Sequence, residues 1–263
     1  MLEPPPFQTI EANGIIHRVA IEGDGPLVLL IHGFPESWYS WRHQIAPLAA
    51  AGYRVAVPDV RGYGGSDKPD AIAAYDMAAM CADAAGIIEA LGSEPAVVIG
   101  HDWGAPIAWH TALLHPETVR AVAGLSVPYT GRPFAPFTKI LKKIYKDRFF
   151  YFLYFQTPGV AEAELEADVR GALRKFYYAF SGEGMTNDRP KGKPKDAQLL
   201  DGLTDPAVLP SWISEEDLDY YTGEFEQSGF RGPLNRYRNA ERDWEMTSDL
   251  SDRQIEQPAC FIA

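Results

Sequence analysis

Residues 97–104 have the sequence Val-Val-Ile-Gly-His-Asp-Trp-Gly, in which an apolar strand runs directly into a turn with glycine on both sides of an aspartate. A strand, a small-x-nucleophile-x-small turn and a following helix together form the pattern called a nucleophile elbow. The glycines allow a sharp turn, so the central side chain projects alone above the sheet. The segment therefore predicts a strand–turn–helix unit that presents Asp102 as a candidate nucleophile.

The carboxylate at this position limits the reactions that the turn can support. A carboxylate can displace a leaving group from a saturated carbon, and water then cleaves the resulting ester. Asp102 therefore indicates an enzyme that opens epoxides or removes halides, and it argues against an esterase with a serine nucleophile. The alternative is that Asp102 caps the following helix, as aspartates at strand ends often do. The two glycines and the strand–turn–helix context favour the nucleophile.

Strand and helix patterns alternate through the first half of the chain. Short apolar runs predict strands buried on both faces, and helical stripes lie between them. Regular alternation of this kind predicts an α/β fold with a mostly parallel sheet and crossover helices on both faces. The predicted strands are residues 27–31, 53–57, 96–99 and 121–127.

The composition of the sequence changes after Pro128. Eight of the nine lysines lie between Lys139 and Lys195, aromatic residues cluster, and the next strand pattern is at 258–262. We therefore predict three regions: a first part of the core at residues 1–129, a helical cap at 130–245, and a return to the core at 246–263. The basic stretch 189–195 is rich in proline and glycine, which favours a solvated loop over a nucleic-acid patch.

Composition excludes several classes of protein. The 263 residues are 46% hydrophobic and 23% charged, as in globular proteins, and the net charge of −12 disfavours binding to nucleic acid or anionic lipid. The N-terminus lacks a secretory pattern, and no apolar run is long enough to span a membrane. We expect a cytoplasmic protein, a monomer or homodimer, with Cys81 and Cys260 as reduced, buried thiols. No metal-ligand cluster or phosphate-binding loop is seen, so we expect no cofactor.

At the level of motifs, the sequence resembles the epoxide hydrolases of the α/β-hydrolase superfamily over essentially its whole length. Three matching segments are shared widely in that superfamily, and two segments of the predicted cap are much more specific. The resemblance implies an α/β-hydrolase fold with an inserted helical cap. The segments are His32 to Pro35, Arg61 to Ser66, Gly100 to Gly104, Tyr151 to Val160 and Ser228 to Asn239.

The resemblance also implies roles for individual residues. Tyr151 and Tyr237 match the tyrosines that hydrogen-bond the epoxide oxygen and supply its proton. Tyr154 is the alternative to Tyr151 if the register differs, and packing in the core is the alternative role for each tyrosine. The oxyanion hole is expected to use the backbone N–H groups of Phe34 and Trp103, since Pro35 has none. Phe34, Pro35 and Trp103 are also expected to contact the substrate.

The histidines of the sequence do not supply an obvious general base. We expect His32 to support the oxyanion loop and His101 to orient backbone. An α/β-hydrolase triad runs nucleophile, acid, histidine along the chain, with the last two on loops after later strands. Two further strand–helix units would need roughly 50 residues. We therefore expect the acid and the histidine to lie beyond Ala263, and this chain to form the ester on Asp102 without completing turnover.

Two other functions remain open. A haloalkane or haloacid dehalogenase shares the aspartate nucleophile. Those enzymes tend to replace Phe34 with a polar or tryptophan halide ligand, or Trp103 with arginine, and they lack the paired cap tyrosines. A non-catalytic scaffold that binds a small ligand is the alternative of a different class. The leading prediction is hydrolysis of an epoxide to a vicinal diol.

Overall fold

The computed structural model describes residues 5–92, 94–187 and 192–263. Within these ranges, the strands are β1 (Phe7–Ala12), β2 (Ile15–Glu22), β3 (Leu27–Ile31), β4 (Arg54–Pro58), β5 (Ala96–His101), β6 (Val119–Leu125) and β7 (Ala259–Ile262). They form one sheet in the order β1-β2-β4-β3-β5-β6-β7. Strand β2 is antiparallel to β1 and β4, and the other neighbouring strands are parallel. The predicted mostly parallel sheet is confirmed.

The antiparallel edge of the sheet is a hairpin that the sequence analysis did not identify. Asn13 and Gly14 join β1 to β2 with φ values of 52° and 69°. Positive φ at two central residues is the requirement of the tight hairpin turn that Asn-Gly favours. The strand predicted at 121–127 also differs slightly, because β6 ends at Leu125 and Ser126 turns the chain with φ of 67°.

Three helices connect the strands of the first half. They are α1 (Arg42–Ala50), α2 (Met77–Ala90) and α3 (Gly104–Leu114). Asp76 caps α2 by accepting a hydrogen bond from the Ala79 N–H at 2.9 Å. Helix α3 packs on β5 and β6 and on α2. Its first residue is Gly104, so the helix begins directly after the turn that carries Asp102.

Between β6 and β7, the regular elements of the described chain are helices, apart from one isolated bridge between Arg148 and Pro194. The helices are α4 (Phe137–Ile144), α5 (Tyr151–Tyr154), α6 (Val160–Ala167), α7 (Val169–Ala179), α8 (Gly182–Asn187), α9 (Glu215–Ser228), α10 (Arg231–Tyr237) and α11 (Ala240–Met246). We call residues 130–245 the cap, and their boundaries as a domain stay a prediction. The loop predicted at 189–195 lies partly outside the described residues.

The hydrophobic core is centred on the sheet. Leu29, Leu30, Val55 and Val98 are fully buried, as expected for strands covered on both faces. Cys81 is buried, but the prediction that Cys260 is buried was wrong. Cys260 lies on β7, which is the last strand of the sheet and is exposed along its whole length. No helix in the described ranges is long and apolar enough to cross a membrane.

Candidate active site

The turn at Asp102 has the predicted strand–turn–helix geometry. Asp102 adopts φ of 49°, an unusual conformation for a residue with a side chain. A Cβ on Gly100 would lie 1.9 Å from the Gly104 carbonyl oxygen, and one on Gly104 would lie 2.0 Å from the Ile31 carbonyl oxygen. Only glycine fits at either position. The sharp turn therefore depends on both glycines and lifts the Asp102 side chain away from the sheet.

Two backbone N–H groups hold the Asp102 carboxylate. The Phe34 N–H donates to Oδ1 at 2.9 Å, and the Trp103 N–H also hydrogen-bonds the carboxylate. Burial and the negative charge of Glu36 raise the pKa of Asp102 to about 6, although the two N–H donors oppose the shift. Asp102 is therefore ionised at neutral pH but is a stronger base than an exposed aspartate. The N–H groups predicted to form an oxyanion hole are the two that contact it.

Buried hydrogen bonds fix the loop that carries Phe34. His32 accepts a hydrogen bond from the Val60 N–H at its Nε2 (3.0 Å), which leaves Nδ1 to donate to the Gly33 carbonyl oxygen at 2.9 Å. Burial lowers the pKa of His32, which favours this neutral form. Tyr177 of α7 donates from its hydroxyl to the Pro35 carbonyl oxygen at 2.6 Å. His32 thus supports the loop from the core, as expected, and the cap holds it from the other side.

Two cavities meet at Asp102. One of about 370 Å³ extends toward Trp103, Phe137 and α11, and the other of about 720 Å³ extends toward Phe34 and α7. Asp102, Tyr151 and Tyr237 line both cavities. These three side chains therefore surround the point at which the two cavities join. Of the predicted substrate contacts, Phe34 and Pro35 line the larger cavity and Trp103 lines the smaller one.

The two cap tyrosines lie together above this junction. Their ring centroids are 6.2 Å apart, and the Tyr237 ring is 5.1 Å from that of Trp103. Burial raises the pKa of Tyr151 to about 12 and that of Tyr237 well above 10, and the Asp102 charge adds to both shifts. Both phenols consequently remain protonated at neutral pH. They are available as hydrogen-bond donors to an oxygen near Asp102.

Tyr154, the alternative to Tyr151, points elsewhere. Its hydroxyl donates to Glu164 Oε2 at 2.7 Å, and it lines neither of the two cavities. The structure therefore places Tyr151 beside Asp102 and Tyr154 in a contact within the cap. This placement agrees with the register inferred from the motif.

A histidine–glutamate pair beside the nucleophile was not predicted. His101 was expected to orient backbone, but its Nδ1 lies 2.8 Å from Glu36 Oε1 in the larger cavity. The hydrogen bond with Glu36 raises the pKa of His101 despite the opposing effect of burial. Burial alone would raise the pKa of Glu36, but His101 and the Gly33 N–H together lower it. Glu36 directly follows Pro35 in the sequence. This position beside the oxyanion loop was the one sequence feature that could have indicated a role near Asp102.

Arg236 was also missed. Its guanidinium lies 4.7 Å from the centroid of the Trp103 ring and is paired with Asp243 and with the Tyr75 carbonyl oxygen. A cation above the face of an indole ring is attracted by the electrons of the ring, and this attraction favours one orientation of the ring. Arg236 therefore supports Trp103, whose N–H contacts the nucleophile. Sequence alone shows no partner for this arginine, because Trp103 and Asp243 meet it only in the folded chain.

Comparison with known proteins agrees with this geometry. The model of the α/β-hydrolase fold family matches residues 26–181. Epoxide hydrolase A of Mycobacterium tuberculosis is 46% identical to the chain, over 98% of the chain and 81% of the relative. The chain belongs to the epoxide hydrolase family. Epoxide hydrolase B of the same organism is 42% identical, over 94% of this family member and 80% of the relative.

Solved structures give the same result. The crystal structure of epoxide hydrolase A from Mycobacterium thermoresistibile superposes with a TM-score of 0.93 at 46% identity, covering 98% of this epoxide hydrolase and 81% of that chain. An epoxide hydrolase from an endophytic Streptomyces gives a TM-score of 0.92 at 48% identity, with coverages of 98% and 79%. The predicted fold class and family are confirmed, and the relatives favour epoxide hydrolysis over the dehalogenase and the non-catalytic scaffold.

The described part of this epoxide hydrolase offers no metal site. Among those residues, no group of three or more His, Cys, Asp or Glu side chains is arranged to hold a metal ion. The polar groups around Asp102 are the N–H groups of Phe34 and Trp103 and the pair formed by His101 and Glu36.

Proposed function

We propose that this enzyme hydrolyses an epoxide to a vicinal diol, with Asp102 as the nucleophile and Tyr151 and Tyr237 as the groups that activate the epoxide oxygen. The observation that carries the proposal is that these three side chains line both cavities at their junction. Among the described residues, no other side chain lines both cavities. An epoxide at the junction would contact the carboxylate on one side and the phenols on the other.

In the first step, an oxygen of the Asp102 carboxylate attacks one epoxide carbon. The C–O bond of the ring breaks, and its electron pair stays on the ring oxygen. Tyr151 and Tyr237 hydrogen-bond that oxygen as charge develops, and one phenol transfers its proton. Their raised pKa values keep both phenols protonated beforehand. The product of this step is a hydroxyalkyl ester of Asp102.

In the second step, water attacks the carbonyl carbon of the Asp102 ester. Negative charge develops on the carbonyl oxygen, and the N–H groups of Phe34 and Trp103 stabilise it because they already point at the carboxylate. The ester bond breaks, the departing oxygen takes up the proton that was removed from the water, and the diol leaves. The second proton of that water passes to the phenolate formed in the first step, which restores the phenol and the Asp102 carboxylate. A base must accept a proton from the water, and the histidine–acid pair expected for this role stays a prediction.

The cavities support an apolar substrate. Aromatic side chains line both cavities, including Phe137 and Phe152 in the smaller one and Phe34 and Phe176 in the larger one, where polar side chains lie beside them. An epoxide with a substituent on each carbon can place one substituent in each cavity while its ring stays at the junction. The cytoplasmic location, the monomeric or homodimeric state and the lack of nucleic-acid binding stay predictions.

The direct test compares an epoxide with a halide. The enzyme is incubated separately with styrene oxide and with a bromoalkane, and loss of styrene oxide, formation of diol or of an Asp102 ester, and release of bromide are measured. We expect ring opening of styrene oxide, seen as ester or diol, that is lost in Asp102→Asn, and no bromide release. Bromide release without any ring opening of styrene oxide would contradict the proposal and favour the dehalogenase.

A further inference from the structure

Arg236 is a buried cation that joins the cap to the core. Its side chain, on α10, is only 4% exposed. The guanidinium pairs with Asp243 of α11 and donates to the Tyr75 carbonyl oxygen. The Asp243 carboxylate also accepts the N–H of Met77, the first residue of α2, at 2.7 Å. The cap and the core therefore hold this guanidinium together.

The guanidinium in turn contacts the indole ring of Trp103. It lies over the face of the ring, 4.7 Å from the centroid, where a cation is attracted to the π electrons. The Tyr237 ring meets the same indole nearly at a right angle at 5.1 Å, and the Phe152 ring lies 6.3 Å away. All three contacts come from α5 and α10, so the cap sets the position of this core side chain.

Trp103 directly follows the residue with the strained backbone. Asp102 has a φ of 49°, and a residue with a side chain keeps such a conformation only where its surroundings hold it. The N–H that hydrogen-bonds the Asp102 carboxylate belongs to Trp103, in the peptide bond that joins the two residues. A shift of the Trp103 backbone would therefore move this donor away from the carboxylate.

We propose that Arg236 is a positioning residue, whose guanidinium fixes the Trp103 ring and thereby keeps the Trp103 N–H directed at the Asp102 carboxylate. For its effect on the reaction rate, this role rests on the proposed function of Asp102 as the nucleophile. Arg236 acts through Trp103 and needs no contact with the substrate. The donor on the core turn is then held in place only while α10 lies over it, which couples the cap to the oxyanion hole.

A second arginine provides a matched comparison. Arg238, just after α10, has a side chain that is 3% exposed and also pairs with a carboxylate, that of Glu162. Like Arg236, it donates to a backbone carbonyl oxygen, that of Phe155, at 2.9 Å. Arg238 lines neither cavity, whereas Arg236 lines the smaller one beside Trp103. The two arginines thus share burial and pairing but differ in what the guanidinium faces.

The pKa of the Asp102 carboxyl reports whether the donor is in place. An NMR titration of isotope-labelled aspartate, assigned with Asp102→Asn, gives its midpoint without any substrate. The Trp103 N–H lowers this pKa, so a displaced donor should raise the midpoint. The other ionisable groups that interact with Asp102 are kept in every variant below, and they are Glu36, His101, Tyr63, Tyr151 and Tyr237.

The main variant removes the ion pair as a whole. Arg236→Met together with Asp243→Asn avoids a buried, unpaired carboxylate. We expect the midpoint to rise by about 0.5–1 pH unit, the scale of one loosened hydrogen bond. Single-turnover ring opening of styrene oxide should slow by about ten-fold, because the nucleophile is less well oriented.

The matched control is Arg238→Met together with Glu162→Gln. Its midpoint should stay within about 0.2 pH unit of the parent enzyme, and ring opening within about two-fold. An unchanged midpoint in the Arg236–Asp243 pair, or an equal rise in both pairs, would overturn the proposal. Arg236→Lys keeps a cation over the ring and should show less than half of the rise. A full rise in Arg236→Lys would show that the stacked cation does not hold the ring.

A double-mutant cycle tests whether the effect passes through Trp103. Trp103→Leu keeps the backbone N–H and removes the ring, so replacing the Arg236–Asp243 pair in this background should raise the midpoint much less than in the parent. A rise of the same size in both backgrounds, with unchanged circular dichroism, would show that Arg236 does not act through the ring and would overturn the proposal. If the predicted midpoints were found but styrene oxide were not opened, the proposed function would fail and the positioning of the donor would stand.

Discussion

The core and the cap position their parts of the site by different means. In the core, Asp102 is fixed by the backbone, because its turn fits only with glycine at 100 and 104 and its φ is set at 49°. In the cap, Tyr151 and Tyr237 lie on short helices far apart in sequence and meet through ring packing. The nucleophile is therefore specified locally, and the proton donors depend on how the cap folds onto the core.

The core and the cap should therefore respond differently to substitution. A change in the core turn is expected to remove the reaction or the fold, since no neighbouring group can replace the carboxylate in that geometry. Removing one cap phenol is expected to slow ring opening only in part, because the other phenol can still hydrogen-bond the epoxide oxygen.

Replacing the nucleophile should have the largest effect. Asp102→Asn is expected to lower the rate of styrene oxide ring opening by about 10⁴-fold or more, the scale of losses on removing a reacting group. The amide keeps the shape of the side chain but is not a carboxylate nucleophile. Asp70→Asn, at an exposed aspartate outside the cavities, is the matched control and should keep full activity. A loss smaller than about ten-fold in Asp102→Asn would show that another group attacks.

Removing one cap phenol should slow ring opening, and removing both should slow it further. Tyr151→Phe and Tyr237→Phe are each expected to reduce ring opening by about 10- to 100-fold, and the double variant by about 10³-fold. Each phenol can partly replace the other as a hydrogen-bond donor. Single-turnover rates of styrene oxide opening measure these values.

Tyr154→Phe is the control for the register of the aromatic run. It removes a hydroxyl that binds Glu164 and leaves both cavities unchanged, so ring opening should stay within about two-fold of the parent enzyme. If Tyr154→Phe were the slow variant and Tyr151→Phe the normal one, the roles assigned to the two tyrosines would be exchanged.

The glycine requirement of the core turn is tested through stability. Gly100→Ala is expected to lower the free energy of unfolding by about 3 kcal/mol, because the added Cβ would lie 1.9 Å from a backbone oxygen. Gly223→Ala in α9, where no atom lies within 4 Å of an added Cβ, should instead raise it by about 0.5–1 kcal/mol. Urea unfolding of both variants gives the comparison. Equal effects would mean that the turn accommodates a side chain.

The pH dependence of ester formation should report the environment of Asp102. Its pKa of about 6 means that the carboxylate is protonated and unreactive at lower pH. The rate should therefore fall as pH drops through about 6, by about ten-fold per unit below it. No loss from tyrosine ionisation is expected up to pH 9, since the pKa values of both phenols are raised. A rate that stayed constant down to pH 4 would contradict the raised pKa.

Glu36→Gln sharpens this measurement. Glu36 raises the pKa of Asp102 more than His101 lowers it, so removing its charge should move the midpoint toward lower pH. The matched variant Glu11→Gln, at a glutamate of β1 outside both cavities, should leave the midpoint unchanged. A midpoint that rose in Glu36→Gln would show that the His101 effect dominates.

The sequence predicted those parts of the site that depend on neighbouring residues. The turn at Gly100 to Gly104 and the N–H donors of Phe34 and Trp103 follow from short motifs, because backbone geometry near a glycine turn is local. Tyr151 and Tyr237 were reached only through resemblance to a family, since an aromatic run alone does not reveal which ring faces a cavity.

Other features required the folded chain. The pairing of His101 with Glu36 joins two loops, and Arg236 meets Trp103 only when α10 packs over the core turn. The division of the site into two cavities depends on the cap as a whole. The exposure of Cys260 follows from the order of strands in the sheet, which the thiol's own sequence context does not encode.

The most direct measurement follows the Asp102 carboxylate itself. The enzyme reacts with styrene oxide in water labelled with heavy oxygen, the reaction is stopped with acid, and the peptide containing Asp102 is analysed by mass spectrometry. We expect this peptide to carry either the mass of the epoxide as an ester or, after hydrolysis, heavy oxygen in the Asp102 carboxylate. Formation of diol with heavy oxygen from the first turnover, and an unchanged Asp102 peptide, would show that water attacks the epoxide directly.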